Sequence, residues 1–262
     1  MSAHHAPPPR PPAPAAPAVL LKDAPEAVVE LFDTDQGRCV RKTYRNRGLQ
    51  WWQTFARTSR AAREFVNLAA VHRLGVPCTE PVSWSERRRL GFVDESSLVT
   101  RYLPEAIPLK QFLATHDRAG HRRLRRKIVA AAGALVRQLH AGGLLWSTPM
   151  PRNMLLVGEP NAARLAVCDV PSAISYARSI LGTEVATVDL FRAAFSPSRC
   201  RDYSPGEQRR WLLAYTAGDR AQTRRLWRTL GRRTTMGNDL RRSLSTVRNV
   251  YLGRNPTPAN AP

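Results

Sequence analysis

Cysteine is scarce in this 262-residue chain. There are four (Cys39, Cys78, Cys168 and Cys200), widely separated and without a CxxC pair. That spacing argues against a disulfide framework or a zinc ribbon and fits buried, reduced thiols. Long apolar runs are missing as well. Outside the N-terminal segment the longest is Ile128 to Val136, nine residues with a glycine inside, too short to cross a bilayer. The N-terminus is proline-rich and lacks the apolar core of a secretory signal, so a cytoplasmic protein is expected. Acidic residues are few: 20 Asp+Glu against 41 Lys+Arg give a net charge of +21. Only four of the basic residues are lysine (Lys22, Lys42, Lys110 and Lys127). Several catalytic signatures are absent, namely HExxH, GxSxG, Walker A and the Rossmann GxGxxG. RNP-like and zinc-finger patterns are absent too, so nothing beyond charge speaks for nucleic acid.

What is present is a globular composition, with 43% hydrophobic and 23% charged residues. Seven of the first 19 residues are proline, and residues 1–24 read as a disordered Pro/Ala-rich tail. Residues 254–262 form a second loose end. Between them, Val28–Phe32 and Arg38–Tyr44 read as a hairpin whose tip, residues 33–37, is acidic with a single glycine. Ser59 is placed to cap a helix presenting Ala61, Phe65, Leu68 and His72/Leu74, which Gly75-Val76-Pro77 stops. Two strands, 81–85 and 97–102, follow, with Arg87, Arg88 and Arg89 in their connection. Beyond Pro104 the pattern turns helical. A short helix is expected at 109–116, then a long one with Leu124, Ile128, Ala131, Leu135 and Leu139 on one face. A small hairpin (154–157 and 164–168) precedes helices near 183–195, 205–216, 219–231 and 237–252. Ser204-Pro205-Gly206-Glu207 spells a capping box.

Four residues occur in an order that has chemical meaning. Lys42 lies on a strand, Glu64 on a helix 22 residues later, Asn153 before an apolar strand, and Asp169 at a strand end. A strand lysine can neutralise nucleotide phosphates, and a helix glutamate can hold that lysine extended. A carboxylate and an amide can offer hard oxygen ligands to Mg²⁺. Taken alone, each has a plainer reading as a surface charge or a turn residue. Asp169 stands out, because a carboxylate after an apolar strand needs a partner.

The surrounding stretches resemble those of the lipopolysaccharide-core sugar kinases, the Kdo/heptose or WaaP-type family. They are VRKTYR (40–45), SRAAREFVNLAAVHRLGVPCTEPVSW (59–84), SSLVTRYLPEAIPL (96–109), LVRQLHAGGLLWSTPMPRNMLL (135–156), LAVCDV (165–170), DLFRAAF (189–195) and SPGEQRRWLLAY (204–215). The resemblance implies an α+β, protein-kinase-like two-lobed fold. A small β-rich lobe with one helix would run over 25–103 and a larger helical lobe over 104–253. It implies ATP and Mg²⁺ as cofactors, with Lys42 on the phosphates, Glu64 orienting Lys42, and Asn153 and Asp169 on the metal. Asp189 would tie down the catalytic loop and His140 would be structural. The expected partner is a lipid-linked saccharide acceptor.

One departure from the family pattern is sharp. Such kinases carry His-Gly-Asp-Leu-x-Pro-x-Asn, whose Asp takes the acceptor's proton. Here Trp146-Ser147-Thr148-Pro149 stands in its place, Thr148 falls at the general-base position, and no carboxylate occurs from Arg118 to Gly158. A positioned base contributes ~100- to 10,000-fold, so a pseudokinase, a nucleotide-binding or scaffold module, is the alternative to an active kinase. No Gly-rich phosphate loop is present. Phosphate cover would fall to the backbone amides of Gln36-Gly37-Arg38.

Two basic stretches complete the picture: residues 122–127, and residues 199–254 with fourteen arginines against four acidic residues. With Trp211, Tyr215, Trp227 and Tyr251 among them, they read either as a peripheral contact with the anionic inner membrane or as solvated helix faces with the aromatics in the core.

Overall fold

The computed structural model describes Pro12 and residues 17–117, 119–159, 164–196 and 202–233. The helix expected at 237–252, Tyr251 and the tail at 254–262 lie outside the described residues. The chain divides into two compact units, residues 1–104 with 168–171, and residues 105–167 with 172–262.

The first unit is built on an antiparallel five-stranded sheet. Its strands are β1 (Val19–Ala24), β2 (Ala27–Thr34), β3 (Gly37–Arg45), β4 (Pro81–Arg89) and β5 (Phe92–Arg101), in the order β1-β2-β3-β5-β4. The β2–β3 hairpin closes at Thr34↔Gly37. Gly37 has φ +109°, a conformation that favours glycine. Inside the tip, Thr34 Oγ1 donates to Gly37 O and accepts from Gln36 N–H. The Gln36 amide is therefore engaged within its own turn and is withdrawn from the expected phosphate cover.

Three departures from the expected elements have physical causes. The tail of residues 1–24 is too long, because Val19–Ala24 pairs with β2 as an edge strand. Backbone pairing does not require burial, and β1 has almost none. Arg87, Arg88 and Arg89 continue β4 instead of forming the connection, which is the two-residue turn Leu90-Gly91. An exposed outer strand tolerates charge. A four-residue helix, α1 (Leu49–Trp52), precedes the expected one and is too short to show a periodicity.

Helix α2 (Arg60–Arg73) starts where Ser59 Oγ accepts from Ala62 N–H. Its buried face is Ala61, Ala62, Glu64, Leu68 and Val71. Phe65 is half-buried and His72 exposed, so the inward face is rotated from the expected one and includes a carboxylate. Within the sheet, Phe32, Cys39 and Val99 form a buried cluster with Val82 against it.

The second unit is mainly helical. Its elements are β6 (Ile107–Pro108), α3 (Leu109–Thr115), α4 (Arg122–Ala141), β7 (Leu144–Leu145), β8 (Met154–Val157), β9 (Arg164–Val167), β10 (Ile174–Ser175), α5 (Glu184–Leu190), α6 (Pro205–Tyr215) and α7 (Arg220–Arg233). Strands β6, β8 and β9 form one small sheet, and β7 pairs with β10. The Ser204 and Glu207 capping box opens α6. Helix α4 packs tightly on α6: a Cβ on Gly133 would lie 2.1 Å from the Trp211 carbonyl oxygen.

The basic run of α4 is divided in use. The other basic residues of the run are exposed, but Arg125 is only 2% exposed and ion-pairs with Glu207 of α6 at 2.7 Å. Its guanidinium also donates to the carbonyls of Leu113 and His116. Arg125 therefore belongs to the core and leaves the expected contact face. Trp211 and Tyr215 leave it too, both buried and stacked on one another. Trp227 is half-buried with the Arg209 guanidinium over its ring.

Candidate functional site

Lys42 lies in the middle of β3, paired with Val29 on one side and Leu98 on the other. Its ammonium is 2.6 Å from Asp169 Oδ1 and 3.5 Å from Glu64 Oε1. Three of the residues expected at the site thus come together within the first unit. Glu64, on the inner face of α2, is 2% exposed. Its second oxygen accepts from the Tyr44 hydroxyl, so both carboxylate oxygens have partners. Burial of a carboxylate is tolerated on these terms: one cation and one hydroxyl replace the lost water.

The electrostatics follow from this packing. Burial pushes Glu64 above the usual carboxylate range, partly opposed by Lys42. Burial alone would lower Lys42, but the charges of Glu64, Tyr44 and Asp169 outweigh it and hold the group as an ammonium. Tyr44 is raised by burial and by Glu64, and so stays a phenol that donates. Beside Asp169, burial pushes the Cys168 thiol up to about 12, which keeps it protonated.

Helix α2 also fixes the segment that carries Asp169. Asn67 Nδ2 donates to Val170 O at 2.8 Å, and Arg63 Nε donates to Pro171 O at 3.3 Å. Asp169 has φ +60°, a left-handed conformation uncommon outside glycine. Sequence reasoning passed over Tyr44, Arg60, Arg63 and Asn67 as parts of this arrangement. A signal existed for two of them: Arg63 and Asn67 fall one residue before and three after Glu64, on neighbouring positions of the helix surface. Arg60 adds a second cation, its guanidinium 4.4 Å from the Tyr44 ring centre.

The second unit holds the other expected residues. Asn153 is 4% exposed and ends a 3₁₀ turn, Pro151–Asn153. Its Nδ2 donates to Thr148 O at 2.9 Å, which turns the amide oxygen away from that carbonyl. Met154 pairs with Val167, so Asn153 precedes the first pair of the β8–β9 ribbon and Asp169 follows it by two residues. Thr148 itself is half-buried and carries a hydroxyl where a base is expected.

The backbone before Thr148 is fixed by Asp189, which is fully buried. Its carboxylate accepts from Trp146 N–H at 2.7 Å and Ser147 N–H at 2.8 Å. His140 Nε2 adds a contact at 3.1 Å, and His140 Nδ1 meets the Tyr215 hydroxyl at 2.9 Å. Ser147 sits at φ +68°, with Arg192 donating to its carbonyl and its hydroxyl donating to Ser172 O. These bonds hold the loop backbone in one shape around Thr148. Among the described residues, no group of three or more His, Cys, Asp or Glu side chains is arranged to hold a metal ion.

The model of the lipopolysaccharide kinase (Kdo/WaaP) family matches residues 31–175. No curated protein sequence matches at a significant level. Among solved structures, "WaaP in complex with acyl carrier protein" aligns with a TM-score of 0.56 at 20% identity, covering 82% of this chain and 87% of that one. The PknI kinase domain of Mycobacterium tuberculosis aligns with a TM-score of 0.43 at 18% identity, covering 66% of this chain and 68% of that one. At such identities the likeness to the first structure speaks for the fold, which is α+β and kinase-like.

Proposed function

Since the chain belongs to the lipopolysaccharide kinase (Kdo/WaaP) family, we propose that it transfers the γ-phosphoryl group of ATP to a sugar hydroxyl of a lipid-linked saccharide. The observation that carries this reading is the Lys42 ammonium held between Asp169 and Glu64. Lys42 would meet the nucleotide phosphates with a charge that burial does not remove. Glu64, braced by Tyr44, keeps the lysine extended. Asp169 and Asn153 would hold Mg²⁺, which when bound neutralises phosphate charge and aligns the transferring group. A carboxylate and an amide oxygen suit that ion, which takes hard oxygen ligands and draws the rest from phosphates and water. Thr148 would face the acceptor hydroxyl. No helix among the described residues is long and apolar enough to cross a membrane. A cytoplasmic protein that reaches its acceptor at the inner-membrane surface is part of the proposal.

A second reading rests on Thr148. With no carboxylate from 118 to 158, proton removal from the acceptor has no residue of its own in that loop. A nucleotide-binding pseudokinase would keep Lys42, Glu64, Asn153 and Asp169 and lose transfer. Transfer, not nucleotide binding, separates the readings. Thermal stabilisation by Mg·ATP is expected in both. Transfer of labelled phosphate to a lipopolysaccharide-core acceptor, abolished by Asp169→Ala, is expected only of the kinase. If Thr148→Asp raises a slow transfer rate, the proton-accepting position is located. Nucleotide binding with no transfer, even in Thr148→Asp, would leave the pseudokinase.

A further inference from the structure

A cluster of aromatic side chains stands on the first unit, outside the Lys42 grouping. Phe92, the first residue of β5, is its hub. Its ring stacks on Trp51 at 4.1 Å and touches Trp52 at 5.2 Å and Phe55 at 4.9 Å. Several of these groups are not buried: Leu49 is 81% exposed, Trp52 64%, Phe55 57% and Leu90 84%.

The platform beneath them is rigid. Trp51 Nε1 donates to Asp94 Oδ1 at 2.7 Å, Val93 N–H to Thr54 Oγ1 at 2.9 Å, and Ala56 N–H to Gly91 O at 3.2 Å. Arg88 clamps the turn by donating to the carbonyls of Gly91 and Arg57. The exposed side chains are thus held out by a fixed backbone.

Leu90 is the most informative residue. It occupies the first position of the two-residue turn Leu90-Gly91, with φ +51° followed by +84°. That position favours Asn, Asp or Gly, because both central residues need a left-handed backbone. A leucine there is strained and also exposes its whole side chain at the hairpin apex. Both costs fall on a residue with no core to fill.

The surround is cationic. The two segments that build the cluster, 45–60 and 85–95, carry seven arginines and three acidic residues. Of the acids, Glu86 is paired with Arg88 at 2.6 Å and Asp94 accepts from Trp51. Arg47, Arg57, Arg87 and Arg89 of these segments are all exposed, and the Arg89 guanidinium lies over the Trp51 ring, 3.9 Å from Asp94.

We infer that this face, centred on Trp52, Phe55 and Leu90, docks on an anionic lipid bilayer. Leucine and phenylalanine enter the acyl boundary, tryptophan sits at headgroup level, and the arginines meet phosphate. An apolar knob at the apex of a hairpin fits between headgroups, whereas a peptide or helix partner asks for a groove. The basic surround complements an anionic surface. The inference does not rest on the phosphotransferase reading. It also differs from the expectation that the arginine-rich helices make the membrane contact.

The test uses the full chain and sedimentation with vesicles of phosphatidylcholine, or of phosphatidylcholine mixed with phosphatidylglycerol. Wild-type protein is expected to bind the mixed vesicles, with tryptophan fluorescence quenched by lipids brominated on the acyl chain. The double variant Trp52→Ser/Leu90→Asn should lose about tenfold or more in vesicle affinity, the scale of removing large apolar side chains from a buried position. Most of the quenching should go with it. Leu90→Asn suits the turn better than leucine, so its melting temperature should hold or rise while lipid binding falls. A merely structural leucine would not give that pairing. Unchanged vesicle affinity or unchanged quenching in the double variant would overturn the inference. So would a change from dimer to monomer without lipid, which would make the face a contact between copies. Preferential loss of nucleic-acid binding would overturn it as well. Mg·ATP stabilisation should be the same in wild type and variant, so failure of the nucleotide reading is seen separately.

Discussion

Lys42 and Asp169 lie 127 residues apart in the chain and 2.6 Å apart in space. Glu64 approaches the same ammonium from α2 at 3.5 Å, so one cation balances two carboxylates, one of them almost fully buried. Replacing Lys42 should therefore act on stability as well as on nucleotide binding. Lys42→Met is expected to cost ~3–5 kcal/mol, the usual consequence of leaving a buried charge without its partner, together with loss of Mg·ATP stabilisation. Asp169→Ala should cost less, since Glu64 keeps the lysine paired, yet should abolish the Mg²⁺ dependence. Urea unfolding of both variants, with and without Mg·ATP, checks the contrast.

Among the described residues, the Tyr44 hydroxyl is the neutral donor to Glu64. Tyr44→Phe removes it from a buried acceptor and should cost about 1–3 kcal/mol. Glu64 has its pKa raised by burial. Its contribution to stability is full below the ordinary carboxylate pKa and is lost as pH rises through the folded value. Glu64→Gln should flatten that part of the profile, measured by urea unfolding across the carboxylate range.

Acid should act on the second unit in the opposite sense. Burial tends to raise Glu207, but hydrogen bonds from Arg125 and from Ser204 prevail and leave it below the usual carboxylate range. The stability it provides is present above the unfolded carboxyl pKa and is lost as pH falls through the lower, folded value. Glu207→Gln should remove this acid limb. Arg125→Ala should be far more damaging, by ~3–5 kcal/mol, because it leaves Glu207 buried without a cation. Denaturant midpoints at several pH values decide both.

Gly133→Ala sets two effects against each other. Alanine favours a helix over glycine by about 1 kcal/mol. The Cβ would, however, lie 2.1 Å from the Trp211 carbonyl oxygen, a backbone atom that cannot rotate away. Separating α4 from α6 should dominate, for a net loss of about 1–3 kcal/mol. A rise in melting temperature would show that the helices part easily.

Much of the architecture is legible in the sequence because local chemistry agrees with the tertiary result. Ser59 and Ser204 cap the helices they precede, and the β2–β3 hairpin closes on Gly37. The order of Lys42, Glu64 and Asp169 marks residues that the fold brings together. What sequence patterning could not give was the direction in which α2 faces. Hydrophobicity favours turning Phe65 inward and Glu64 outward, and it is the Lys42 ammonium and the Tyr44 hydroxyl, both on β3, that let Glu64 be buried while Phe65 stays half-buried. The same blindness hid Arg125, since the other basic residues of its run are all exposed. Helix α1 has four residues and no period, and β1 has no inward face from which alternation could be read.

Strand β1 adds hydrogen bonds to the sheet and almost no core. Of its six residues only Ala24 is half-buried and the rest are exposed; Val19, Leu20 and Leu21 stand more than half open to solvent. It behaves as a fringe: peeling it from β2 would uncover backbone amides of β2 but hardly any oil. Such a rim invites a stray strand from another molecule. The prolines at positions 12, 14 and 17 immediately upstream cannot donate to a ladder, and so they cap how far that invitation extends along the chain.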